Sequence, residues 1–261
     1  MVVFIIAMLT FGAVGAYTLS KGGLRLRKVF HILRNDPRPV RELQTYRGPV
    51  EIQGRAVEGD DGTVEAQFSG SRCLAYNYEV EELHSSNNNH NWETLDVGAG
   101  GVEFVVEDDT GRVRVDPAGA DFHFEDHTVT VHPGEELPDR LADFVARSPD
   151  VEPQNETLDL QITELNTGNR QRFIERRLDV GEDVYVYGQV RQGPSGAWGS
   201  DLVDALVGRG DETPVFVISD TDESGTARRI ARDGILKVVI GVVALGVSVL
   251  SAILGLFSFL F

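Results

Sequence analysis

The stretch CLAYNYEVEEL (73–83) decides the fold. Leu74, Tyr76, Tyr78 and Val80 alternate with small or polar residues, the period of a strand with one buried face. Working outward, GPVEIQGRAVEG (48–59) carries Val50, Ile52 and, after a glycine, Val57 in the same rhythm. VEFVVED (102–108), RVRVD (112–116), DFHF (121–124), HTVTVH (127–132), VYVYGQV (184–190) and PVFVIS (214–219) repeat the style. Each is short, rich in β-branched and aromatic residues, and bounded by turn formers. Asp60-Asp61-Gly62, Asp109-Thr110-Gly111 and Gly98-Ala99-Gly100-Gly101 read as turns, and Asn87–Asn91 as an exposed hairpin tip. Only 138–147, with Leu141, Phe144 and Val145 on one stripe, reads as a helix within this region. The expectation is a mainly β fold, an antiparallel barrel or sandwich-like domain with one short helix.

The flanks differ. The 261 residues hold 41 acidic and 24 basic side chains, a net charge of −17, yet 1–20 and 238–261 carry none. As helices these ends would measure roughly 30 and 36 Å, enough for a hydrocarbon core of about 30 Å. Two transmembrane helices are expected: one over 1–20, and a helix over 226–261 that runs into the second. The segment 21–47 is net +6, 228–261 is net +3, and 48–227 is net −26. Basic residues beside both spans place the middle domain in the cytoplasm and the termini outside, in a multi-pass cell-membrane protein. A cleaved signal peptide with Ala13–Ala16 as its site is disfavoured, because no basic residue precedes the apolar run and a strong basic stop follows it. Leu26, Val29, Phe30 and Leu33 form an apolar stripe on a basic helix, suited either to a lipid surface or to continuation of the first span.

Composition excludes several functions. One cysteine, Cys73, forbids an intrachain disulfide and any all-cysteine metal site, and it reads as a small packed hydrophobe. An acidic middle domain argues against a nucleic-acid partner. Three lysines against 21 arginines, on so acidic a surface, resemble proteins of salt-loving archaea. There is no G-x-x-x-x-G-K-[ST], H-E-x-x-H or G-x-S-x-G signature.

Three segments, Gly48–Val57, Ser71–Glu81 and Phe173–Val190, set between two spans, resemble the GIDE-type or beside-a-membrane domain of membrane ubiquitin ligases. The resemblance covers about 48–222 plus both spans, and Gly48, Glu175, Gly181 and Gly188 match its pattern. It implies a β domain held near a bilayer. Eukaryotic members add a RING finger, which needs seven or eight Cys and His ligands for two zinc ions. These residues hold one cysteine, so ligase activity is not carried over.

The leading expectation is a non-catalytic interaction module that binds a protein partner or extended peptide, by strand addition at an open sheet edge, beside membrane lipid. Gly48, Glu175, Gly181 and Gly188 are candidate binding positions, though turn and folding roles suit them better. The alternative is the membrane platform of a ubiquitin-like ligation system whose catalysis comes from another chain. A third reading, an outward-facing module, would be marked by a glycan on Asn155 of the sequon Asn155-Glu156-Thr157. His123, Glu125 and His127 form a weak metal candidate that an exposed acidic strand pair explains better, so no metal or cofactor is expected. Arg170, Arg172, Arg176 and Arg177 form a basic patch that suits pairing with neighbouring carboxylates. A second copy of the chain is a further candidate partner.

Overall fold

The computed structural model describes residues 2–32, 37–86, 89–149, 151, 157–160, 163–166, 169–193, 201–213, 215–220, 238–253 and 256. The chain divides into two compact units, 37–221 on one hand and 1–36 with 222–261 on the other.

The middle unit is β-rich, in line with the alternation. Its strands are β1 (Gly48–Glu58), β2 (Val64–Glu65), β3 (Arg72–Cys73), β4 (Ala75–Ser86), β5 (Asn89–Gly101), β6 (Phe104–Asp108), β7 (Gly111–Val115), β8 (Asp121–His123), β9 (Asp126–Val131), β10 (Thr157–Leu160), β11 (Thr163–Asn166), β12 (Gln171–Leu178), β13 (Asp183–Gln192), β14 (Leu202–Gly208) and β15 (Val217–Ser219). β1, β6, β7, β14 and β13 follow one another in a sheet, and β1 also pairs with β13, which closes a five-stranded barrel. In chain order the ring runs first, second, third, fifth, fourth and back to first, the connectivity of an OB-type Greek-key barrel. β15 and β8 extend this sheet beyond β13. Its interior holds Ile52, Ala56, Phe104, Val106, Val186 and Val207, all fully buried.

One expectation needs correction. The sheet is not wholly antiparallel, since β14 pairs with β7 and β15 with β8 in parallel. Parallel neighbours need long crossovers, and the chain between β7 and β13 supplies one by building further structure. A second sheet, ordered β5-β4-β12-β9, stands beside the barrel. Its core joins Phe68, Val80, Val131 and Phe173 to Leu141, Phe144 and Val145 of the short helix α2 (Asp139–Val145).

Gly98–Gly101 is the second correction, because it closes β5 instead of forming a turn. A Cβ on Gly98 would lie 2.4 Å from the Tyr78 ring, and one on Gly100 would lie 2.8 Å from Tyr76. The glycines leave room for rings on the neighbouring strand. Of the Asn87–Asn91 run read as a hairpin tip, 89–91 open β5, and 87–88 lie outside the described residues.

Two local features close the barrel. At Arg55 β1 passes from β13 to β6, and the preceding Gly54 lets β6 approach. A Cβ there would stand 2.4 Å from the Glu107 carbonyl oxygen. Asp108, at the β6–β7 turn, accepts hydrogen bonds from its own loop at Thr110 N (2.7 Å) and Gly111 N (2.9 Å). It also accepts one from Val40 N at 2.8 Å, which seats the 3-10 turn Val40–Gln44 with Val40 and Leu43 fully buried. Burial raises the Asp108 pKa, but the hydrogen bonds from Val40, Thr110 and Gly111 outweigh it, and the carboxyl titrates below its ordinary range.

The other unit contains α1 (Val2–Ile32) and α3 (238–253). Ser248 Oγ donates to the Met8 carbonyl at 2.8 Å. A Cβ on Gly15 would meet Leu245 at 2.8 Å, and one on Gly241 would meet Leu19 at 2.6 Å, so the helices pack closely at small residues. Among the described residues no helix is long and apolar enough to cross a membrane. The runs with described side chains are 5–21 and 238–253, about 26 and 24 Å of helix. The expected spans over 1–20 and 226–261 are thus not supported by the described residues, and they extend beyond them.

Two outcomes are expected. Gly54→Ala should lower unfolding free energy by roughly 1–3 kcal/mol in urea titration, since the methyl group meets backbone. For Asp108, a depressed folded pKa means stability that is full above the unfolded value of about 3.9 and is lost as pH falls through the folded value. The wild-type advantage over Asp108→Asn should therefore shrink as urea titrations move from neutral pH to below that range.

Candidate functional site

Glu175 lies on β12, on the face that carries Phe173, and is 2% exposed. Its Oε2 accepts hydrogen bonds from Phe68 N at 2.6 Å and Ser69 N at 3.1 Å, and its Oε1 accepts the Ser69 hydroxyl at 2.6 Å. Arg177 Nη1 stands 3.5 Å from Oε1. The loop so held is tight, with Ala66 N donating to Ser71 O at 2.8 Å and Gly70 N to Ala66 O at 3.0 Å. Its product is the placement of Phe68, whose ring centroid lies 5.1 Å from Phe144, 5.2 Å from Tyr78 and 5.5 Å from Phe173. Arg140 of α2 reaches Glu65 at 2.9 Å beside the same loop.

Cys73 follows this loop and is fully buried. Burial first, then the charges of Asp179 and Glu175, push its thiol up to about 12, and Arg177 opposes them only in part. A thiol so placed stays protonated at neutral pH and is a poor nucleophile, as its reading as a packed hydrophobe expects.

The other family-matching positions lie elsewhere. Gly48 and Gly188 occur on the β1–β13 ladder, opposite Val190 and Val50. Gly181, with φ +93°, sits in the β12–β13 turn, where its N–H donates to Ala56 O at 2.7 Å. The four positions are therefore not gathered into one site.

His123, Glu125 and His127 are also divided. His123 is on β8 of the barrel sheet, His127 on β9 of the second sheet, and Glu125 lies between them. Among the described residues no group of three or more His, Cys, Asp or Glu side chains could hold a metal ion. Asn155 lies outside the described residues.

Three of the four arginines in the patch are ion-paired, and Arg170 is exposed. Arg172 pairs with Glu81 and lies 4.2 Å from the Trp92 ring centroid. Arg176 pairs with Asp126 and approaches Glu79 at 3.5 Å, and Arg177 contacts Asp179 at 2.9 Å. On the barrel, Arg112 meets Glu107 and Arg114 meets Glu103, each at 3.4 Å.

An open cleft of about 400 Å³ lies between the face of the second sheet and β8. Asn77, Glu79, Val97, Ala99, Phe122 and Arg176 line it. Val97 is 64% exposed there, and the buried Asn77 Oδ1 meets no donor among the described residues. An apolar floor and an ionic rim beside the terminal strand of the barrel sheet, β8, suit an extended peptide.

A family model described as GIDE, E3 ubiquitin ligase, matches residues 76–199. Over that stretch, just under half of its length, the chain is similar to GIDE-type domains. No curated protein and no solved structure matches the chain. The GIDE match takes in Glu175, Gly181 and Gly188, while Gly48 and the Phe68 loop fall before it. Sequence reading gave Glu175 no partner, because Phe68 and Ser69 are 107 and 106 residues away.

Glu175→Ala should cost roughly 3–5 kcal/mol of stability, since it strips a buried, hydrogen-bonded carboxylate from its loop. The native Cys73 thiol should resist labelling by a thiol reagent, and Glu175→Ala should speed that labelling. A variant as stable and as protected as wild type would show that the carboxylate does not hold the loop.

Proposed function

We propose that the chain is a two-pass membrane protein whose GIDE-type domain serves as a non-catalytic interaction module beside the bilayer. The observation carrying this is the chemistry of the helix pair. Ile5, Ile6, Leu9, Phe11 and Val14 on α1, and Val242, Val243, Val249 and Leu250 on α3, are exposed. In water such a surface costs about 25 cal/mol per Å², while in lipid it costs nothing. The hydroxyls between them turn inward: Thr10 donates to Ile6 O at 2.9 Å, Thr18 to Val14 O at 2.9 Å and Ser251 to Val247 O at 2.8 Å. Ser248 meets Met8 O across the pair. Polar groups satisfied within the helices suit a solvent that offers no hydrogen bonds.

The basic residues flanking both apolar ends orient the GIDE-type domain toward the cytoplasm. The partner is a protein, taken up as an extended segment in the cleft beside β8. A net charge of −26 over 48–227 argues against a nucleic-acid backbone as the partner of this domain.

The family description favours a second reading, a membrane platform for ubiquitin-like ligation with catalysis from another chain. The outward-facing alternative has no comparable support.

The full chain should stay with membranes through an alkaline carbonate wash and leave them only in detergent. Release by carbonate alone would end the membrane reading. Crosslinking in native membranes, followed by identification of the captured protein, separates the rest. Capture of a ubiquitin-like modifier or its activating enzyme would select the platform, and a glycan on Asn155 would reverse the orientation.

A further inference from the structure

We infer that β9 is a self-pairing edge through which two copies of this chain join their second sheets into one. β9 is the last strand of the order β5-β4-β12-β9, and among the described residues no strand pairs with its outer side. Five of its six residues, Asp126 to Thr130, are exposed. Unpaired strand edges are ordinarily blunted by charged side chains, proline or bulges. β9 has no lysine, proline or bulge, its one acid, Asp126, stands at the end of the strand and pairs with Arg176, and Thr128-Val129-Thr130 at its centre is uncharged and β-branched. The opposite edge, β5, is protected by Glu93 and Asp96 and by a bulge opposite Val80 and Glu81.

The sequence of β9 is complementary to itself in one antiparallel register. Centred on Val129, it sets Val129 against Val129, Thr128 against Thr130, His127 against Val131, and Asp126 against His132 just beyond the strand. Valine meets valine at the centre, hydroxyl meets hydroxyl on either side, His127 meets Val131, and the one acidic residue meets an imidazole. No like charges oppose each other. That matters in a chain of net charge −17, whose copies repel at most other surfaces.

The faces agree as well. Val129 lies opposite Phe173 and shares the face of the second core, yet it is 43% exposed while Phe173 is fully buried. A second β9 brings another Val129 beside it and extends that core across the two-fold axis. Such a contact is isologous and closes at two copies. It leaves the cleft beside β8 as a separate feature.

The test uses the full chain in its native membrane. Val129→Cys should form a disulfide-linked dimer on mild oxidation, whereas wild type, with only the buried Cys73, should not. Thr128→Cys and Thr130→Cys expressed together should crosslink to each other more than either does alone, which reads the register. Val129→Lys, at an exposed position, should lose the dimer seen by light scattering of the detergent-solubilised chain. Absence of the Val129→Cys dimer, or equal crosslinking by Val97→Cys on β5, would overturn the proposal.

Discussion

The second sheet depends on one carboxylate. Glu175 draws the Phe68-Ser69 backbone down onto β12, and that fixes where Phe68 stands among Tyr78, Phe144 and Phe173. Without that hold the loop between β2 and β3 would keep its internal bonds and the Arg140–Glu65 pair at its base, and α2 would face a core whose central ring is no longer fixed. A buried charge is costly unless its lone pairs are met, and here two backbone N–H groups and a hydroxyl meet them. The bonds fix where the loop lies, and a satisfied polar network of this kind rigidifies the core around it.

The barrel and the second sheet are joined by continuous strands. β4 begins just after Leu74 and β12 ends at Leu178, both in the barrel core, and the two strands reach Val80 and Phe173 in the other. Leu74 N donates to Leu178 O at 2.8 Å at this junction. The outer face of the second sheet carries the ion pairs of Arg172 and Arg176, so its polarity is internally balanced in a chain that is otherwise strongly acidic. The cleft beside β8 opens on this face, which gives it an apolar floor and a charged rim.

Strand positions were legible because alternation is a local signal. β1, β4, β6, β7, β9 and β13 fall where period-two residues put them, and α2 falls within 138–147. Sheet partners were not, because pairing joins distant residues. The parallel contacts of β7 with β14 leave no local mark, and β14 itself, Leu202–Gly208, passed unread despite its alternation. Gly98–Gly101 looked like a turn because the rings that need those glycines belong to another strand. Asp108 could be read as a turn residue, but its bond to Val40 spans 68 positions. The resemblance marked Glu175 by matching position, and only the fold shows what its oxygens hold.

Closure of the barrel sets an order of events in time. β1 is made early and can pair with β6 and β7 soon after, but its other side waits for β13, and β7 waits for β14. Contacts so distant along the chain slow folding, because loop entropy is lost before the pairing is gained. During synthesis the half-built ring presents bare edges of Val50, Ile52, Val113 and Val115, so this molecule's most aggregation-prone moment precedes the arrival of its last barrel strands.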